Sequence, residues 1–166
     1  TADPSELAAQ LNVHRAEMNH AIIDIGGTVM QFVGDAVMAV FGAPFPYADH
    51  ADRAFAAARA MHRRQAEVNR RWQAEGRPPF GLGIGLSTGE AAAALLGSEE
   101  RIEYTLVGDT VNLSARLQQW AEAGEIILSQ PTYDALAEPP ECEKMEPATV
   151  KGRQAPVQAY RVAPEA

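Results

Sequence analysis

Asp35, Asn112, Arg116 and Lys151 have the types and settings that phosphate chemistry needs, and Gln31 and Thr105 are polar groups set in apolar stretches. Asp35 follows Gly34 inside VMQFVGDAVMAVFGAP, between the apolar runs 28–33 and 36–41. Gly-Asp between two strands is favoured for backbone reasons alone. The same hairpin tip can present a carboxylate to a divalent cation, which takes one or two carboxylates together with phosphate oxygens. Asn112 and Arg116 are four residues apart, so on a helix they share a face. They form either a solvated polar stripe or a ligand-facing pair, in which Arg stabilises charge on a phosphoryl group and Asn orients a sugar. Lys151 precedes Gly152 in a turn. An isolated lysine is ordinarily a solvated surface group. Here, however, 12 of the 14 basic residues are Arg, and a compact ammonium at a turn suits a phosphate. Gln31 can face water or hydrogen-bond the edge of a base. Thr105 is explained by β-propensity alone.

These groups need elements to hold them. Apolar residues at helical spacing (Leu7, Leu11, Met18, Ile22, with His14) predict a helix over 5–25, stopped by Gly26-Gly27. Runs 28–33 and 36–41 predict a tight hairpin around Gly34-Asp35. A long helix is expected over 49–73, with Ala54, Ala58, Met61 and Val68 inward and Arg63, Arg64, Arg70 and Arg71 outward. Strands are expected at 80–87, 90–96 and 102–107, then a helix from Asp109, its expected N-cap, to Ala123. A strand at 125–128, a short helix at 131–137 and strands near 142–145 and 157–162 complete the order, with a turn at 150–156. That order is α+β rather than a regular βαβ alternation.

The 166 residues suffice for one domain with a sizeable core. No apolar run approaches the ~20 residues of a membrane helix. The net charge of −8 argues against a nucleic-acid surface, which is usually basic. The one cysteine, Cys142, cannot form an internal disulfide, which fits a reducing cytoplasm and predicts a cytoplasmic domain. His14, His20, His50 and His62 form no recognised metal-ligand spacing. GLGIG at 81–85 lacks the strand-to-helix context of a nucleotide loop and reads as strand. No Ser-His-Asp, GxSxG, HExxH or P-loop pattern is present.

Four stretches, GGTVMQFVGDAVMAVFGAP, GIGLSTGE, YTLVGDTVNLSARL and VKGR, together resemble the catalytic domain of the class III nucleotidyl (adenylyl and guanylyl) cyclases, bacterial type. The resemblance covers nearly the whole chain, 1–166, as a single cyclase homology domain. It implies a ferredoxin-like, βαββαβ-derived antiparallel sheet flanked by helices. It implies a head-to-tail homodimer with nucleotide sites at the interface. It also implies attack of the ribose 3′-hydroxyl on the α-phosphate of ATP, giving 3′,5′-cyclic AMP and pyrophosphate. By position, Asp35 resembles the second metal-binding aspartate, and the resemblance implies two divalent cations (Mg2+ or Mn2+) as cofactors. Asn112 resembles the ribose-orienting residue, Arg116 the transition-state stabiliser and Lys151 the contact to the terminal phosphates. Gln31 and Thr105 stand where the family reads the purine.

Two departures qualify that picture. The family's opening strand, which carries the first metal aspartate, is not among these residues, so the domain is expected to be N-terminally incomplete. Adenylyl cyclases commonly have Lys where Gln31 stands, paired with Asp or Thr at the Thr105 position, and guanylyl cyclases commonly have Glu and Cys. A glutamine amide both donates and accepts, so it fits adenine or guanine. Three outcomes stay open: an ATP cyclase, a cyclase of relaxed ATP/GTP specificity, and a weak or inactive pseudo-cyclase. The last would bind nucleotide or dimerise to regulate a domain elsewhere in a longer chain.

Overall fold

The computed structural model describes residues 3–33, 36–43, 47–89, 92–98, 101–107 and 109–165, and for residues 33, 92–98 and 101–107 the backbone only. These form two compact units that divide after Leu82.

The first unit packs two helices, α1 (Pro4–Ile23) and α2 (His50–Ala74), with a hairpin of β1 (Thr28–Val33) and β2 (Ala36–Val40). Asp3 caps α1, its carboxylate accepting from the Ser5 amide at 2.9 Å, with Pro4 at the first helical position, where its missing N–H costs nothing. The two helices bury Met18, Ala21 and Ile22 of α1 and Ala57, Ala58, Met61, Val68 and Trp72 of α2. Arg64 of α2 reaches across to Glu17 (2.9 Å) and Asp24 (3.3 Å). A buried polar chain ties the helices to the following loop. The His14 Nδ1–H donates to Gln65 Oε1 (2.7 Å), and Gln65 Nε2 donates to Asn69 Oδ1 (2.9 Å). Asn69 then pairs with both backbone groups of Phe80, and Gln10 Nε2 donates to the Pro78 carbonyl.

The second unit is built on a four-stranded sheet in the order β3 (Ile84–Leu86), β6 (Ile126–Ser129), β8 (Ala159–Val162), β7 (Glu143–Lys144). β6 is central, and its Ile126, Ile127 and Leu128 are fully buried, as expected of an unbroken apolar run. A separate hairpin joins β4 (Ala92–Ser98) to β5 (Arg101–Val107). Helix α3 (Asp109–Trp120) lays Leu113 and Leu117 on Ile127, Val150, Val157 and Ala159. Gly85 permits this approach. A Cβ there would stand 2.4 Å from the Gln118 amide nitrogen and 2.5 Å from the Ser114 carbonyl oxygen. The short α4 (Gln130–Ala135) is capped by Ser129, and its Thr132 hydroxyl donates to the Leu86 carbonyl at 3.2 Å.

Several expectations are corrected in detail. Leu7 is exposed, and the buried stripe of α1 begins instead at Gln10 and continues through His14, because polar groups there have loop carbonyls and amides to bond. The strand expected at 80–87 shrinks to Ile84–Leu86, since the Asn69 side chain takes both backbone groups of Phe80. The four-stranded sheet is mixed rather than wholly antiparallel. β3 and β6 run parallel, which a hairpin cannot connect, and the intervening chain includes a helix that covers the sheet. Asp109 is not an N-cap outside its helix but lies in the first turn, its carboxylate committed to Arg153. Among the described residues no helix is long and apolar enough to cross a membrane.

Candidate phosphate-binding cavity

Helix α3 exposes Asn112 and Arg116 on one face while Leu113 and Leu117 hold the adjoining face in the core. This is the ordinary consequence of 3.6-residue periodicity. The loop after β7 returns to this face. Ala148 and Val157 bridge each other, and the chain between them turns sharply at residues 150–153. The Arg153 amide donates to the Val150 carbonyl at 3.0 Å, and Gly152 has φ +91°. A positive φ at the third residue of a four-residue turn is the pattern of a type II turn, which favours glycine there. Lys151 therefore sits at the turn's outer corner, exposed, while Val150 beside it is anchored among Leu113 and Leu117.

The turn and the helix flank an open cavity of about 510 Å³, lined in part by Asp109, Asn112, Arg116, Gln119, Lys151 and Arg153. That volume falls within the range of small-molecule sites. Three cationic side chains and one carboxylate face it, in a chain whose net charge is −8. The local excess of positive charge in an acidic protein suits an anionic ligand. Arg116 Nη1 donates to Gln119 Oε1 at 3.4 Å, and Arg153 is paired with Asp109.

The structure thus brings Asn112, Arg116 and Lys151 to one cavity although Lys151 is 35 residues beyond Arg116 in the chain. Gln31 lies on β1 in the first unit, exposed, where the pairing with β2 shifts register between Val29 and Gln31. Thr105 lies on β5 opposite Ala94, backbone only. Asp35 lies outside the described residues. Among the described residues no group of three or more His, Cys, Asp or Glu is placed to hold a metal ion. A divalent cation needs only one or two carboxylates beside phosphate oxygens, so the candidate ligand here is Asp35 alone. Sequence alone does not single out Gln119 and Arg153 as cavity neighbours. The signals were there: Gln119 is one helical turn beyond Arg116, and Arg153 ends VKGR.

Comparison with known proteins identifies the family. The family model for the adenylate and guanylate cyclase catalytic domain matches residues 1–163. Adenylate cyclase 1 of Rhizobium meliloti is 32% identical over 163 residues, which is 96% of this chain and 24% of that protein. The chain therefore spans about a quarter of the length of the curated relatives it matches. Two crystal structures superpose with TM-scores of 0.89 at 33% identity, each across 99% of this chain. One is the guanylyl cyclase Cya2, covered to 84%, and the other the adenylyl cyclase CyaB from P. aeruginosa, covered to 86%. Equal likeness to a guanylyl and an adenylyl cyclase means that backbone shape carries no preference between the two bases. This α+β chain belongs to the class III adenylate and guanylate cyclase catalytic domain family, whose fold it shares.

Proposed function

We propose that residues 1–166 act as a single cyclase domain that converts ATP to 3′,5′-cyclic AMP and pyrophosphate, with some tolerance for GTP. The observation that carries this reading is the convergence of Asn112, Arg116 and Lys151 on one positively charged cavity. ATP is favoured by the name of the Rhizobium relative and by Thr105, which agrees with a bacterial adenylyl cyclase subgroup. Tolerance for GTP follows from Gln31, whose amide can donate to one base edge or accept from the other.

In this reading the ribose 3′-oxygen attacks the α-phosphorus, the bond from the α-phosphorus to the bridging oxygen of the leaving pyrophosphate breaks, and the hydroxyl proton passes to solvent. Asn112 hydrogen-bonds the ribose and aligns the attacking oxygen. Arg116 stabilises the charge that builds on the α-phosphoryl group. Lys151 neutralises the terminal phosphates that leave as pyrophosphate. Such chemistry needs positioning and charge stabilisation more than covalent help. Members of the family typically use two metal ions. Asp35 would supply one oxygen ligand, and a bound Mg2+ or Mn2+ would lower the hydroxyl's pKa and stabilise the leaving group's charge. The reading also includes a homodimer with its sites at the interface, no nucleic-acid partner, and a regulatory domain elsewhere in a longer, cytoplasmic or membrane-anchored protein.

The test is turnover of ATP and of GTP by purified full-length protein with Mn2+. Cyclic AMP should form, and Arg116→Ala should remove most of it, since loss of one charge-stabilising donor costs roughly 10²–10³-fold. Gln31→Lys should shift the ATP/GTP ratio. An unchanged ratio removes Gln31 from base recognition. A well-folded preparation that makes no cyclic nucleotide from either substrate refutes the catalytic reading and leaves the pseudo-cyclase.

A further inference from the structure

We propose that the Asp109–Arg153 ion pair is a clasp that sets the distance between Lys151 and the Asn112–Arg116 face, so that both are positioning residues for the triphosphate. This rests on the reading of the cavity as the nucleotide's phosphate site.

The turn that carries Lys151 is held at three points. Val150 is 7% exposed and packs against Leu113 and Leu117 of α3. The Arg153 amide closes the turn on the Val150 carbonyl. The Arg153 guanidinium then reaches 44 residues back to the Asp109 carboxylate in the first turn of α3. Lys151 and Gly152 lie between these anchors and are exposed. The lysine therefore goes where its neighbours put it. Val150 fixes one end of the turn. Without the ion pair the next anchor on the other side is Val157, four residues on, which gives Arg153, and Lys151 with it, more room to move from the helix.

A merely solvated surface pair is the competing view, and two observations weigh against it. Arg153 Nε is buried and, among the described residues, has no hydrogen-bond partner, a cost that a freely solvated arginine avoids. The pair also joins the two segments that line the cavity rather than residues of one helix turn. Asp109 serves at the right end of the helix as well, since a carboxylate in the first turn complements the helix dipole. Its charge further prevents Arg153 from competing with Lys151 and Arg116 for phosphate oxygens.

The experiment is a double-mutant cycle on the full-length protein, with ATP and GTP as substrates. Arg153→Ala and Asp109→Ala should each raise KM about three- to five-fold, the range of a partly exposed pair, with kcat within two-fold of wild type. The double variant should be no worse than either single one. The charge-swapped Asp109→Arg/Arg153→Asp protein should recover part of the loss. Multiplying effects, or an Arg153→Ala defect with a silent Asp109→Ala, overturn the clasp and make Arg153 a phosphate ligand in its own right.

A readout independent of turnover separates this proposal from the cyclase reading. Amide hydrogen exchange at residues 151–153 should quicken about three-fold or more in either single variant, while α3 keeps its protection. Unchanged exchange overturns the clasp even in an active enzyme. Quickened exchange in a protein that turns over no nucleotide upholds it, and only the cyclase reading fails.

Discussion

Replacing Gly85 by alanine puts one methyl group between β3 and α3, the helix that carries Asn112 and Arg116. The added Cβ would lie 2.4 Å from the Gln118 nitrogen, 2.5 Å from the Ser114 oxygen and 2.8 Å from the Leu117 Cβ. Ordinary contact begins near 3.4 Å, so the helix must retreat by about 1 Å. Two of the three obstructing atoms belong to helix backbone, so no side-chain rotation relieves the clash. Retreat loosens Leu117, which is fully buried, and Leu113, which is 5% exposed. Overpacking of this kind costs about 1–3 kcal/mol. A displacement of about 1 Å at a catalytic group can also cost on the order of 10²-fold in rate. Urea denaturation of Gly85→Ala should show a lower midpoint with an unchanged slope. Nucleotide turnover should fall even where the protein is fully folded. An alanine variant of wild-type stability and wild-type turnover would refute the argument that α3 is seated by contact with Gly85.

Gly152→Ala tests conformation rather than contact. Nothing lies within 4 Å of the added Cβ, so only the φ of +91° is penalised, by about 1–2 kcal/mol. The effect should appear as weaker triphosphate binding at Lys151 more than as lost global stability, read by KM beside a melting curve. Gln65→Ala removes the middle of the buried chain from His14 to Asn69 and leaves His14 Nδ1 without its 2.7 Å partner. A loss of about 1–3 kcal/mol is expected in denaturant titration. Partial burial pushes the Cys142 thiol up from its ordinary value, so less thiolate forms at a given pH. Iodoacetamide at pH 8 should therefore label the native protein more slowly than the urea-unfolded one, and equal rates would contradict the burial.

Local pattern made most of the elements legible. The 3.6-residue period found α2 and α3, and the Gly-Asp pair between apolar runs found the β1–β2 hairpin. Pattern was less informative where polar groups do structural work. His14 falls on the helical stripe, but its polar neighbours Gln10 and Gln65 carry no apolar signal, and all three are buried because each meets a hydrogen-bonding partner across the two helices and the loop. Asn69 shortened an expected strand by the same means. In the cavity, Asn112 and Arg116 were legible as a pair from spacing. Lys151 joined them only through the family resemblance and not through spacing, because its closeness depends on Val150 reaching a core that strands far along the chain assemble. Asp109 could be read as a helix-start residue, but not as the partner of Arg153, since no local rule links residues 44 apart.

The bridge between Ala148 and Val157, and the docking of β8 beside β6, have a consequence for the order in which the protein is made. A chain grows from its N-terminus, and compact units fold as their last members emerge. A nascent chain ending at Arg153 already holds Asn112, Arg116 and Lys151. It lacks Val157 to close the 148–157 bridge and lacks β8 to fill the place between β6 and β7. Lys151 is then on a free end and the cavity has one wall. The cavity's second wall thus forms only once residues beyond its own lining, Val157 and β8, have been added.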